Sequence, residues 1–301
     1  MKVNLSTEEI CEFSADLDLL SPIEILHVMN RANADLSQLI AKCLPQVEKA
    51  VKSISTNMRL GGRLIYIGAG TSGKLGALDA AECTPTFSVA EGTVIAVVAG
   101  QNAPSSKEAE AAEDDVNEIV FELQKLKLKR VDSIVGISAS GRTPFVYAGL
   151  NYAGSIGCTT ISVACNTKSE ISSIADVAIE VDTGAEILIG STRLKAGSAQ
   201  KMILNMISTT CMVLQGKTYK NLMVDLQVTN VKLQKRAERI VSIATGSTIE
   251  EAVDGLKKSQ YDIKLAILMI LLNCSLREAK SILLRSRGSI RSAIEDNNVQ
   301  K

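Results

Sequence analysis

The chain has 301 residues, 46% hydrophobic and 22% charged, which is enough apolar sequence for about two folded domains. Its 33 Lys and Arg residues balance 33 Asp and Glu residues, so no excess of positive charge favours a nucleic acid partner. Aromatic residues make up 3% and Trp is absent, which disfavours the stacking surfaces that bind bases or polysaccharides.

The cysteines and the single histidine, His27, do not form a recognisable site. Seven cysteines are scattered along the chain without a CxxC pair. This spacing fits neither a zinc site nor a disulfide framework, so we expect no metal and a reducing, cytoplasmic location. Acidic residues near the N-terminus and the lack of an apolar run of roughly 18 residues predict no export signal and no membrane span.

The first sixty residues are predicted to be helical, with Ser21, Pro22 and Glu24 marking the start of a long helix. From Arg63 onward, short apolar runs alternate with segments of helical periodicity: LIYIG, VIAVVAG, SIVGIS, TTISVA and VAIEV. Near-continuous apolar strands separated by helices predict a doubly wound parallel α/β sheet covered on both faces.

After Asn221 the strand pattern stops, and from residue 246 short helical segments begin with a cap-like Ser247. We therefore predict an N-terminal helical segment at 1–54 and an α/β domain at 55–220. A connecting helix at 221–245 and a small helical C-terminal bundle at 246–301 complete the predicted organisation.

The loop after the first strand, GAGTSGKLG at residues 68–76, is typical of anion binding. It matches GxGxxG, but the next strand ends without the carboxylate that would hold a ribose. It nearly matches GxxxxGK[ST], but Leu75 stands where a magnesium-binding hydroxyl is required. The remaining interpretation is a nest of backbone amides with Thr71 and Ser72 for one small anion, and ordinary turn chemistry is the alternative.

Two later segments have similar chemistry. SASGRT at residues 138–143 combines hydroxyls with free amides after the third strand, which suits phosphate oxygens. GAEILIGSTRLKAGSAQK at residues 184–201 sets polar residues among glycines and runs into a helix predicted to begin near Ala199. These polar residues are Glu186, Ser191, Thr192, Arg193, Lys195, Ser198 and Lys201. These cations can neutralise a phosphate or carboxylate, whereas an exposed glycine-rich hairpin is the alternative. Together with the loop at 68–76, the serine-rich loop favours a phosphorylated metabolite.

Carboxylates lie between these loops. Asp79 and Glu82 are spaced three apart on the helix predicted after the first loop, and Glu113, Asp114 and Asp115 on the helix predicted after the second strand. Small or apolar neighbours in AAEC suggest that Glu82 is desolvated, which would raise its pKa toward that of a working acid. A structural role for Glu82 is the alternative. Other side chains are expected to be solvated, packed or buried rather than catalytic: Glu108, Glu110, Glu118, His27 and Cys83.

Six longer segments of the sequence carry a family resemblance: GGRLIYIGAGTSGKLGALDAAECTPTF from Gly61, AAEDD from Ala111, GISASGRTPFVYAGL from Gly136, GAEILIGSTRLKAGSAQKMILNM from Gly184, NLMVD from Asn221 and GSIRSAIED from Gly288. With these motifs the chain resembles the sugar isomerase domain family and, within it, the N-acetylmuramic acid 6-phosphate etherases, which share an architecture with the glucokinase regulatory protein. The resemblance covers about residues 55–235, with a looser similarity in the terminal helices. The N-terminal segments ICEFSADLDLL and NRANADL depart from the family pattern.

The resemblance implies a cofactor-independent carbon–oxygen lyase of cell-wall amino sugar recycling. Such an enzyme converts N-acetylmuramate 6-phosphate to N-acetylglucosamine 6-phosphate and D-lactate. By motif, Glu82 would be the proton donor to the lactyl oxygen and Glu113 the base at C2. A homodimer is implied as well. The substrate-binding residues would come from the three segments: Gly70, Thr71, Ser72, Ser138, Ser140, Gly141, Thr143, Ser191, Arg193 and Lys195.

Two alternatives remain. A regulatory protein of this architecture senses sugar phosphates without turning them over, and it needs neither an acid nor a base. A phosphosugar aldose–ketose isomerase also needs a carboxylate base at C2, so base chemistry does not distinguish it from a lyase.

Overall fold

The computed structural model describes residues 5–103, 105–228 and 230–299. Residues 1–4 and 300–301, at which the first and last predicted segments begin and end, lie outside the described residues. The chain divides into two compact units. The first unit comprises Met1–Ala81 and Gly92–Ser208, and the second comprises Glu82–Glu91 and Thr209–Lys301.

The first unit contains a five-stranded sheet in the order β2-β1-β3-β4-β5. Every neighbouring pair is parallel, and residue 64 of β1 lies in register with residue 94 of β2 and residue 133 of β3. The strands are β1 (Leu64–Gly68), β2 (Val94–Val98), β3 (Ser133–Ser138), β4 (Thr159–Ala164) and β5 (Val177–Glu180). These are the five apolar runs of the sequence, so the predicted parallel α/β fold is confirmed.

Burial explains why these strands have no polar alternation. All residues of β1 and β3 are buried, because helices cover the sheet. The helix α3 packs against β3, β4 and β5, and α7 packs against β1, β3 and β4. The helices of this unit are α1 (Pro22–Asn33), α2 (Leu36–Ala41), α3 (Leu44–Arg59), α4 (Gly70–Phe87), α5 (Ser106–Ala111), α6 (Val116–Lys125), α7 (Pro144–Ile156), α8 (Glu170–Ser173) and α9 (Lys195–Leu214), of which α4 and α9 extend into the second unit.

The strand order places the topological switch point between β1 and β3. The chain passes from β1 to β2 on one side and then returns to β3 on the other. In open α/β sheets, ligands bind beyond the carboxyl ends of the strands at such a point. The loops at 68–76 and 138–143 follow these two strands, so the fold brings both serine- and threonine-containing loops to the expected crevice.

The second unit is helical around an apolar core. It contains a short antiparallel pair, β6 (Thr218–Tyr219) and β7 (Leu222–Met223). Its core includes Leu256, Ile267 and Leu268, which are fully buried. The helices are α10 (Val231–Thr245), α11 (Ile249–Lys258), α12 (Ile263–Leu272), α13 (Leu276–Arg285) and α14 (Ile290–Val299).

Some local predictions are wrong. Before α1, the described N-terminal residues form three short 3-10 turns rather than a helix. Strand structure continues past Asn221, because β7 pairs with β6 in a tight hairpin. The cap of α11 is Thr248 rather than Ser247, since the Thr248 hydroxyl accepts from the N–H of Glu251 at 3.2 Å. The predicted start of α1 is confirmed, with both the N–H and the hydroxyl of Ser21 donating to Glu24.

None of the helices in residues 5–103, 105–228 and 230–299 combines the length and the apolar character needed to cross a bilayer.

Candidate active site

The first loop depends on close packing of α4 against β1. Gly70 opens α4 with a φ of +51°, which favours glycine. A Cβ on Gly73 would lie 2.5 Å from the carbonyl oxygen that ends β1, so only glycine fits there. Thr71 is partly exposed, whereas Ser72 is buried and its hydroxyl donates to Oε1 of Gln200 at 2.9 Å. Ser72 is therefore tied to α9 by a residue that the sequence did not single out.

The second loop is a compact network of hydroxyls. Oγ of Ser138 lies 2.8 Å from Oγ1 of Thr143 and accepts from the N–H of Gly141 at 3.0 Å. The N–H of Arg142 donates to Oγ of Ser140 at 3.2 Å. Because a hydroxyl can rotate to donate or accept, this network can reorient its donors toward phosphate oxygens without rebuilding the loop.

Glu113 lies beside this second loop. The hydroxyl of Thr143 donates to Oε1 of Glu113 at 3.0 Å, and the Glu113 side chain is exposed. This contact brings the predicted base next to the predicted phosphate-binding residues. The two residues lie 30 positions apart in the sequence, and the AAEDD motif is the only local feature of the sequence that points to Glu113.

The local structure around Glu113 differs from the prediction. Glu113 and Asp114 lie in a 3-10 turn, Ala112–Asp114, rather than on the helix predicted after the second strand. Asp115 ends this turn and caps α6, because its carboxylate accepts from the N–H groups of Asn117 and Glu118. The cap starts a new helix and leaves Glu113 on an irregular connection.

The two acids on α4 have opposite environments. Asp79 is 4% exposed and accepts from Oη of Tyr66 at 2.9 Å and from Oγ of Ser208 at 3.2 Å. Glu82 is exposed and belongs to the second unit. The expected desolvation of Glu82 is therefore wrong for the single chain, because its small neighbours do not cover its carboxylate. The expectation that Cys83 is buried is confirmed, at 2% exposure.

The third segment is organised by Glu186. This residue is 1% exposed and accepts from the backbone N–H groups of Lys195 and Ala196 at 3.0 and 2.8 Å. It caps α9, which consequently begins at Lys195 rather than near Ala199. Sequence reasoning placed Glu186 among the polar residues of this segment without identifying it as a cap.

Arg193 and Lys195 line a pocket of about 190 Å³. Glu186, Ser198 and residues of α1 complete its walls. Ser191 is partly exposed and does not belong to the lining, and neither do the described residues of the loops at 68–76 and 138–143. Of the three substrate-binding residues predicted in this segment, Arg193 and Lys195 therefore line one pocket together with the buried carboxylate of Glu186, and Ser191 does not.

Thiol chemistry has no support in the structure. None of the seven cysteines, all of which lie in the described part of the chain, forms a disulfide, and six of them are buried. Burial raises the pKa of the Cys158 thiol to about 11 and also raises the pKa of the Cys165 thiol. Across the described ranges, no group of three His, Cys, Asp or Glu side chains is arranged to hold a metal ion.

Comparison with known proteins identifies relatives over almost the whole chain. The profile of the glucokinase regulatory protein N-terminal SIS domain matches residues 46–154. An N-acetylmuramic acid 6-phosphate etherase of Geobacillus sp. (strain WCH70) is 48% identical over 98% of this chain and 100% of its own length. An enzyme of the same name from Exiguobacterium sp. is 49% identical over 96% of this chain and 99% of its own length.

Among solved structures, a phosphoheptose isomerase from Francisella tularensis covers 64% of this chain and 100% of its own length. Its sequence identity is 11% and the TM-score is 0.49. The relatives that match from end to end, and that are nearly half identical, confirm the resemblance given by the sequence motifs: the chain belongs to the family of N-acetylmuramic acid 6-phosphate etherases.

Proposed function

We propose that this protein removes the D-lactyl ether from C3 of N-acetylmuramate 6-phosphate, giving N-acetylglucosamine 6-phosphate and D-lactate. The relatives of nearly half identity support this activity. The structural observation that carries it is the hydrogen bond of 3.0 Å between Thr143 and Glu113, because it joins a carboxylate to a loop suited to phosphate.

The reaction follows from the acidity of the open-chain sugar. Its C1 aldehyde acidifies the C2 proton, which the Glu113 carboxylate removes. The bond between C3 and the lactyl oxygen then breaks, and Glu82 protonates the departing oxygen. Water adds to the unsaturated aldehyde at C3 and a proton returns to C2. The sum is one substrate and one water converted to one sugar phosphate and one lactate.

Binding is assigned to the loops at the switch point. Gly70, Thr71 and Ser72 begin α4, and Ser138, Ser140, Gly141 and Thr143 form the hydroxyl network; together they would hold the 6-phosphate. Arg193 and Lys195 would attract the lactyl carboxylate, with Ser191 nearby in sequence. No cofactor is needed, since both chemical steps require only carboxyl groups.

We also propose a homodimer acting in the cytoplasm. The helix α1 has no buried side chain, and Ile23 and Leu26 on it are each 59% exposed. Apolar side chains on one helix are stabilised when a second copy covers them. The lack of disulfides among the described cysteines fits a reducing compartment.

The central experiment follows the purified protein with N-acetylmuramate 6-phosphate in ¹⁸O-labelled water by mass spectrometry. We expect unlabelled lactate and sugar phosphate labelled at C3. N-acetylglucosamine 6-phosphate incubated alone corrects for exchange at C1. Tight binding without turnover would identify a sensor instead, and a product of unchanged mass would identify an isomerase.

A second measurement, exchange of the C2 proton in deuterated water, distinguishes the roles of Glu82 and Glu113. Glu113→Gln should abolish both lactate release and exchange of the C2 proton. Glu82→Gln should suppress lactate release while C2 exchange continues, because the base remains. Glu110→Gln, on the exposed surface of the neighbouring α5, is the matched control and should change neither rate. Full activity of Glu113→Gln would contradict the assignment.

A further inference from the structure

A buried charged network in the second unit is not used by the proposed chemistry. Lys264 on α12 is 6% exposed, and its Nζ lies 2.5 Å from Oδ2 of Asp225. The same ammonium donates to the carbonyl oxygen of Gly288 at 3.0 Å. Nζ of Lys217 lies 3.5 Å from the same carboxylate oxygen. A buried ammonium is costly unless paired in this way, so the network fixes Asp225 between α12 and the connection from α13 to α14.

This network reaches the end of α4 through Ser88. The Ser88 hydroxyl donates to the backbone carbonyl of Asp225. Ser88 directly follows α4, has a φ of +47°, and its N–H donates to the carbonyl of Thr84 at 2.9 Å. The last turn of α4 is therefore closed by the same residue that contacts Asp225.

The last turn of α4 needs such an anchor because Pro85 lies inside it. Proline has no N–H, so the carbonyl of Ala81 loses its helical partner at the turn that contains Glu82. Ser88 lies six positions beyond Glu82, about 9 Å along a helix axis. The exposed Glu82 side chain is not held by packing of its own, so its position depends on how firmly this turn is fixed.

We infer that Lys264, Asp225 and Ser88 are positioning residues for Glu82: the helical bundle of the second unit fixes the turn of α4 from which the proton donor acts. This inference rests on the proposed function. It assigns to the C-terminal bundle a part in lactate release and none in proton removal at C2, which belongs to Glu113 in the first unit.

The test compares two rates in the full-length protein, lactate release and C2 exchange in deuterated water. Lys264→Met removes the charge and keeps most of the length of the unbranched side chain. We expect kcat for lactate release to fall by about tenfold to a hundredfold, as for a misplaced catalytic group. KM should stay within about twofold, and C2 exchange should be unchanged. Ser88→Ala should lower lactate release selectively in the same way.

A control variant and the outcomes that would overturn the inference complete this test. Lys258→Met, whose ammonium pairs with Asp254 on the exposed face of α11, should leave both rates unchanged. Equal loss of both rates in a folded Lys264→Met or Ser88→Ala variant would indicate a purely structural role and overturn the inference, as would no loss in either. If Lys264→Met does not fold, Ser88→Ala decides by the same two rates. Absence of lactate release from the unmodified protein would instead overturn the proposed function.

Discussion

At the scale of single residues, the carboxylates with a structural role are buried, whereas the carboxylates proposed to react are exposed. Asp79 and Glu186 are nearly inaccessible, and each accepts hydrogen bonds on both of its oxygens. Glu82 and Glu113 are exposed, so their oxygens remain available to a substrate. The motifs identify Glu82 and Glu113, but the sequence does not reveal the role of Asp79, because its partners Tyr66 and Ser208 lie 13 and 129 positions away.

Asp132 can be used to test how much a buried, paired carboxylate contributes to the stability of the protein. Its side chain is fully buried and its Oδ2 lies 2.6 Å from the Arg63 guanidinium. Burial acts to raise the pKa of Asp132, but hydrogen bonds from Arg63 and from the backbone N–H of Lys129 outweigh it and hold the pKa below its ordinary value of 3.8. Asp132→Asn should lower the free energy of unfolding at pH 7 by about 2 kcal/mol, allowing for the partial exposure of Arg63.

The pH dependence has a definite sign. A lowered folded-state pKa contributes stability above the unfolded-state value, and this contribution is lost as the pH falls through the folded-state pKa. Urea unfolding at pH 7 and below pH 3.8 should therefore show a difference between the two proteins that shrinks in acid. Asp254→Asn, in an exposed pair, should change stability by less than about 0.5 kcal/mol. Equal effects of the two substitutions would contradict the prediction.

At the scale of elements, the sequence predicted the sheet well and the irregular segments poorly. The five strands are apolar runs, and in β1 and β3 this pattern follows from burial of both faces. The turn carrying Glu113 and the cap of α9 depend on individual side chains accepting backbone N–H groups. Helical periodicity does not report such choices, so the sequence predicts a start near Ala199 for α9 and places Glu113 on a helix rather than in a turn.

Gly141 tests whether the shape of the second loop matters for binding. Its φ is +73°, and an added Cβ would lie 2.2 Å from Cβ of Ser169. Gly141→Ala must displace the hydroxyl network, so we expect KM for the sugar phosphate to rise by about tenfold, the equivalent of one or two lost hydrogen bonds. The measurement is initial-rate kinetics on the folded variant.

The control for this variant is Gly154→Ala in α7. Space is available there, since the nearest atom to an added Cβ is Cγ2 of Thr160 at 3.9 Å. Alanine favours the helical backbone, so this variant should gain about 0.5 to 1 kcal/mol of stability with unchanged KM. An unchanged KM in Gly141→Ala as well would argue against phosphate binding by this loop.

At the scale of the whole molecule, one group of exposed apolar side chains lies beside the N-terminal residues of the first unit. Ile10, Leu188 and Ile189 line a groove of about 580 Å³, and α1 exposes Ile23 and Leu26. Exposure of these apolar side chains to water is unfavourable. The second copy of the chain proposed above would cover them in a homodimer.

Charge on α1 should therefore oppose association. The double substitution Ile23→Asp and Leu26→Asp should convert a dimer to monomer in light scattering coupled to size-exclusion chromatography. Leu284→Asp, at a position 81% exposed on α13, should leave the mass unchanged. A dimer that persists in the first variant would exclude α1 from the interface.

The contact between Ser88 and Asp225 also has a consequence for synthesis on the ribosome. Residues 82–91 are translated early, but the rest of the second unit begins only at Thr209. The intervening 117 residues take about 6 to 23 seconds at ordinary elongation rates. During that interval Phe87 and Val89, buried in the finished protein, lack the rest of their unit. We therefore expect the nascent chain to expose an apolar segment that a chaperone can bind, and a pause in translation before residue 225 to prolong that exposure.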